Sequence, residues 1–171
     1  MNLMLAERTH TISFRYLVID KLGKEKEPYN LGEELSFAMD LTADPYCNEG
    51  FWMNTGICTR LVGPNFKMEI PFANLPKRGE LIGHFDVLDE GRKTQPFVMY
   101  ANGAKILEGE VTSATQDTGL DFVIPVSGFD KKKTLTLEIQ FPEISQDEIE
   151  LPVDQRTQTI SLTSLVIDQQ K

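Results

Sequence analysis

The sequence predicts an all-β chain, an antiparallel and jelly-roll-like β-sandwich of roughly ten strands. Three observations carry this. Apolar residues recur at every second position in run after run, the period of a strand that buries one face. Turn signals separate the runs at the roughly 8–12-residue spacing of sandwiches and barrels. No segment has convincing helical periodicity, and the runs alternate rather than staying continuously apolar as parallel, doubly covered strands would.

Taken in order, residues 11–19 alternate first, with Ile12, Phe14, Tyr16 and Val18 on one face. Asp20 to Asn30 is charged and holds Gly23 and Pro28, so it reads as a loop. Leu35, Phe37 and Met39 mark a second strand, broken at Asp44-Pro45. Gly50-Phe51-Trp52 reads as a short strand and Asn54-Thr55-Gly56 as a turn. Ile57 to Val62 is the next strand, followed by the alternating Phe66, Met68, Ile70 and Phe72. Leu81, Gly83, Phe85 and Val87 form the inward face of another. Asn102-Gly103, between two alternating runs, is a hairpin signal, because both central residues of a type I′ turn need positive φ. Leu120, Phe122, Ile124 and Val126 follow. The last two runs, Leu135 to Phe141 and Thr159 to Asp168, are the strongest. The second of them slips phase near Thr163-Ser164, where a bulge would re-aim the strand's end. Between them lies a long acidic loop, residues 142–155, in which residues 146–151 have room for one helical turn.

The size, 171 residues, suits one domain over residues 11–171, with residues 1–10 as a native arm or an expression remnant. An apolar content of 40% supports a sizeable core. The formal charge of −9 argues against a nucleic-acid partner, which needs a clustered Lys/Arg field. The basic run at residues 131–133 reads as a solvated turn. No run approaches the roughly 18 apolar residues that span a bilayer. Cys47 and Cys58 fit either a loop-closing disulfide or two buried thiols.

No phosphate-binding glycine loop, zinc-protease or nucleophile-elbow motif is present. His84 and Asp86 share a strand face, which suits an exposed polar face better than a base and its orienting carboxylate. Glu143, Asp147, Glu148 and Glu150 crowd the acidic loop. A solvated loop is the plain reading, and a structural calcium held by hard oxygen ligands is the other; no cofactor is expected beyond that. The lone Trp52 is suited to stack on the apolar face of a sugar ring, with Asn54 and Arg60 to read hydroxyls. A core or edge tryptophan is the structural alternative. Tyr100, out of phase with Phe97 and Met99, is a further candidate contact. Asp154 and Arg156 are placed to clamp the end of the acidic loop.

A wider pattern runs through the chain. It comprises Tyr29-x-Leu31-Gly32-Glu33, Gly50-Phe51-Trp52 with Gly56, Val98-x-x-x-Asn102-Gly103, and Phe122-x-Ile124-Pro125. It ends in Ile144-Ser145 through Asp154-x-Arg156 to Ile160-x-Leu162-x-x-Leu165-x-Ile167. In that order the residues resemble a β-sandwich module of bacterial cell-envelope glycosylation proteins, carried C-terminal to membrane glycosyltransferase or sugar-phosphoglycerol-transferase-like regions. Thr55-Gly56-Ile57 and Thr157-Gln158-Thr159 depart from that pattern. The resemblance implies an extracytoplasmic, non-catalytic sandwich whose partners are a glycan or a membrane glycosyltransferase domain. The expected function is thus a carbohydrate-binding-like accessory module, any catalysis residing in another domain. The alternative is a structural or protein-interaction sandwich without a small-molecule ligand.

Overall fold

The two C-terminal runs become the central strands of two sheets. The computed structural model describes residues 26–54, 56–89, 93–129 and 133–171, excluding the side chains of Met53 and Asn54. Eleven strands lie among them: β1 Glu34–Ser36, β2 Cys47–Glu49, β3 Phe51–Asn54, β4 Thr59–Val62, β5 Asn65–Pro71, β6 Glu80–Leu88, β7 Thr94–Ala101, β8 Ala104–Thr112, β9 Leu120–Pro125, β10 Thr134–Gln140 and β11 Gln158–Gln169. One sheet runs β3-β4-β11-β6-β9, with β1 also paired to β11; the other runs β2-β5-β10-β7-β8. The chain changes sheet at almost every connection from β4 onward, and the strand pairs are antiparallel.

The alternation places the core. Leu81, Phe85, Phe122, Ile124, Leu162, Leu165 and Ile167 of the six-stranded sheet are buried, as are Phe66, Met68, Ile70, Phe97, Met99, Leu135, Leu137 and Ile139 of the five-stranded one. They belong to one cluster between the layers. Burying a side chain of this size contributes about 1.5–3 kcal/mol, so the two inner faces hold the layers together. The phase slip in β11 is real. Its register against β6 shifts between Leu162 and Ser164, which keeps Ile160 and Leu162 before the bulge, and Leu165 and Ile167 after it, in the core. At the β7–β8 hairpin Asn102 and Gly103 both have positive φ, 49° and 80°, as a type I′ turn requires.

Three expectations are altered. The strand expected through Met39 stops at Ser36. Phe37 donates its amide to Thr163 in the β11 bulge, and the chain turns at Leu41 (φ 52°). Met39 is therefore left 79% exposed. Ile57 does not join β4, which begins at Thr59, and it too is exposed. Val126 enters a 3-10 turn beyond β9 instead of extending the strand. Of the two states open to the cysteines, Cys47 and Cys58 take that of free thiols, Cys58 buried and Cys47 half-buried. The run at 11–19, the arm at 1–10 and Lys131 and Lys132 lie outside the described residues. Residues 146–150 do form a 3-10 turn, with the Ser145 hydroxyl accepting the Asp147 amide at 3.3 Å.

Candidate functional site on the outer face of the six-stranded sheet

With Leu81, Phe85, Leu165 and Ile167 turned inward, alternation sends Ile82, His84, Asp86, Ser164, Val166 and Asp168 to the opposite face. Register then fixes their neighbours. His84 lies between Val166 of β11 and Asp121 of β9; Ile82 lies between Asp168 and Val123; Asp86 faces Ser164. On the far side of β11, Glu34 of β1 is level with Val166. Ile82 and Val123 are partly exposed there, at 39% and 45%.

Trp52 and Arg60 are cross-strand partners in β3 and β4. The neighbouring pair, Phe51 and Leu61, packs into the core, so Trp52 and Arg60 occupy the outer face. Both are half-buried. Arg60 is level with Ser161 of β11, which places the pair one row beyond the bulge from Ser164. Asn54 pairs with Thr59 at the end of β3, which keeps its backbone beside Trp52. Tyr100 is elsewhere. It lies in β7, level with Glu138 and Lys105, on the outside of the five-stranded sheet. The sandwich therefore brings Trp52 and Arg60 together, with the Asn54 backbone at the end of the same strand, and holds Tyr100 on the opposite side.

The acidic loop is fastened beside this face, against β3. Arg156 donates from Nε to the Leu151 carbonyl at 3.0 Å and from Nη2 to the Ile149 carbonyl at 2.6 Å. Glu148 accepts from the Thr157 amide and hydroxyl. Arg156 thus ties the end of the loop through backbone carbonyls. Among the described residues Asp154 takes no part in that tie; it is exposed. Gly63 leaves room for Arg156, whose Cδ would lie 3.2 Å from a Cβ there. Thr157 thus engages both Glu148 oxygens. Among the described residues no group of three His, Cys, Asp or Glu side chains could share a metal ion.

His84 is held on both sides. Nδ1 lies 2.8 Å from Asp121 Oδ1, and Nε2 lies 3.0 Å from Asp86 Oδ1. The hydrogen bond to Asp121, with a smaller contribution from Asp86, raises its pKa above the ordinary histidine value against the opposing effect of burial. Ser164 donates to the other oxygen of Asp86, at 2.9 Å, and not to His84. Both imidazole nitrogens are thereby committed to carboxylates, and the nearby hydroxyl is bonded to Asp86 rather than to the imidazole. The His84–Asp86 spacing was visible in the sequence. Asp121 and Ser164 were not, because only strand order and register bring them to the pair.

No family model matches this chain, and no curated protein matches it. Solved structures do. It is similar to a family 35 carbohydrate-binding module from Clostridium thermocellum, at 10% identity over 81% of this chain and 99% of that one, with a TM-score of 0.46. It is also similar to the C-terminal family 6 carbohydrate-binding module of the laminarinase LamC from Zobellia galactanivorans, at 12% identity over 80% and 100%, with a TM-score of 0.47. A third is a family GH115 4-O-methyl-α-glucuronidase with specificity for decorated arabinogalactans, at 12% identity and a TM-score of 0.42; the match covers 67% of this chain but spans 14% of that enzyme.

Proposed function

We propose that this chain is a non-catalytic carbohydrate-binding module, and that it contacts sugar with the outer face of the six-stranded sheet at Trp52, Asn54 and Arg60. The observation that carries this is the cross-strand pairing of a half-buried Trp52 with Arg60 on that face. An indole offers flat apolar area to a sugar ring at low entropic cost, and a guanidinium beside it offers several donors in fixed geometry to ring hydroxyls or an acidic substituent. The commitment of both His84 nitrogens to carboxylates supports a binding role over a catalytic one. The cell-envelope setting, an extracytoplasmic location and a glycosyltransferase partner belong to the same proposal and rest on the sequence resemblance. A glycan array followed by titration of tryptophan fluorescence tests it, since Trp52 is the only tryptophan. A saturable change with envelope-type oligosaccharides, lost in Arg60→Ala, is expected; no glycan-dependent signal overturns it.

A second reading, a protein-interaction sandwich, is favoured by one observation: Ile82 and Val123 are register partners on this face and both are partly exposed. Retention of a partner protein that is lost in an Ile82→Lys/Val123→Lys variant, with no glycan bound, would select it.

A further inference from the structure

Carboxylates accept hydrogen bonds and do not donate them, so a ring nitrogen within 3.0 Å of a carboxylate oxygen has to supply the proton. Both nitrogens of His84 stand in that position, and an imidazole carries two N–H groups only as the cation. The ring also has a floor. A Cβ on Gly119 would fall 2.1 Å from His84 Cε1, so the loop running into β9 passes directly against the imidazole, and at φ +77°. β9 is the last strand of its sheet and pairs only with β6 there. The loop before it is tied to β6 by the Asp117 amide, which donates to the Val87 carbonyl.

We propose that His84 is a proton-operated clasp that fastens the edge strand β9 and the loop ahead of it to β6. As the imidazolium it bonds Asp121 on β9 and Asp86 on its own strand at once. After losing a proton it keeps one N–H, so one carboxylate is left facing a lone pair. The charged groups around it favour the cation. Asp121 faces it from β9 and Asp86 from β6; Asp168 of β11 and Lys171 line the same shallow depression, about 390 Å³ in volume. Glu34 of β1 is one strand further, across the uncharged Val166, and Asp117 lies in the loop. Lys171 is the one cation among them. The clasp is independent of the glycan reading and would act on whatever uses this edge of the sheet.

Proton NMR of the His84 ring, run beside amide exchange from pH 5 to 9, tests it. The ring is expected to titrate above the ordinary value of 6.5. Through that midpoint the protection of β9 amides should fall about two- to fivefold, the range for a partly exposed ion pair, while β10 is unchanged. Asp121→Asn should lower the midpoint and flatten the step, and His84→Gln should abolish it. A midpoint at or below 6.5, an unchanged β9, or a step that survives in His84→Gln overturns the proposal.

Discussion

The hydroxyl of Tyr29 accepts the backbone amide of Ile167, 138 residues later, at 2.8 Å, and donates to the carbonyl of Glu33 at 2.6 Å. The ring is buried, edge-on to Phe72 at 5.4 Å. One side chain thus pins the segment before β1 to the end of the central strand β11. Tyr29→Phe keeps the ring and strips Ile167 of its acceptor. The expected cost is about 1–3 kcal/mol in urea denaturation, because a buried donor is left unsatisfied.

The same phenol predicts alkaline sensitivity. Burial is the main cause that pushes its pKa up, to about 12, whereas an unfolded tyrosine ionises near 10.0. The native state holds a proton that the unfolded chain gives up. This group's stabilisation is therefore complete below pH 10 and lost as pH rises towards 12. Denaturation midpoints in that window should fall more steeply in the wild type than in Tyr29→Phe; parallel curves would refute the assignment.

Cys47 shows the same physics on a thiol. Burial raises its pKa from 9.0 to about 12, and its Sγ lies 3.5 Å from the Ala43 carbonyl. Cys58, just ahead of β4, is buried. Attack on an alkylating reagent requires the thiolate. Both thiols should resist iodoacetamide in the native protein at pH 8 and react promptly in 6 M guanidinium. Fast modification of the native protein at Cys47 would contradict its raised pKa.

The sequence made the sandwich legible because most of its strands bury one face and therefore alternate. β5 and β10 are the clearest cases, with every second residue buried. It hid β2, three residues long and paired with β5 across a register shift, because so short a strand has no period to read. It misled at Met39, where the bulge of a strand more than 120 residues away captures the Phe37 amide. Trp52 beside Arg60 could be suspected, since they flank one turn. The separation of Tyr100 could not, because the sheet to which a strand belongs is decided by packing rather than by its own pattern.

Glu148 and Thr157 close the acidic loop by two bonds, at 2.7 and 2.8 Å. Hydrogen bonds to a charged acceptor carry more than neutral ones. Glu148→Ala should cost about 1–3 kcal/mol and expose residues 142–157 to limited proteolysis ahead of global unfolding. Uniform proteolysis rates in the two proteins would mean that the Arg156 clamp suffices without it.

Gly50 is a position at which no side chain fits. A Cβ there would sit 1.8 Å from the Asn65 carbonyl oxygen, a backbone atom of β5, and its φ is +75°. Gly50→Ala should cost on the order of 3 kcal/mol or more, or prevent folding. Gly128 is the control: a Cβ there meets nothing within 4 Å, so Gly128→Ala should be close to neutral by thermal denaturation. Similar midpoints for the two variants would show that β5 yields where the geometry says it cannot.

The placement of Tyr100 makes the binding proposal discriminating. Tyr100 and Trp52 lie on the outer faces of different sheets, with the whole core between them. One sugar chain on one face cannot use both. Trp52→Ala and Arg60→Ala should each weaken glycan binding by about tenfold or more in calorimetric titration, the loss expected for a stacked or charge-assisted contact worth about 1.4 kcal/mol. Tyr100→Ala should leave the affinity within about twofold, because at a surface position remote from the ligand it removes no contact. Equal losses in all three would require either two glycan sites or a ligand on the five-stranded sheet, and the outer face at Trp52 would lose its claim.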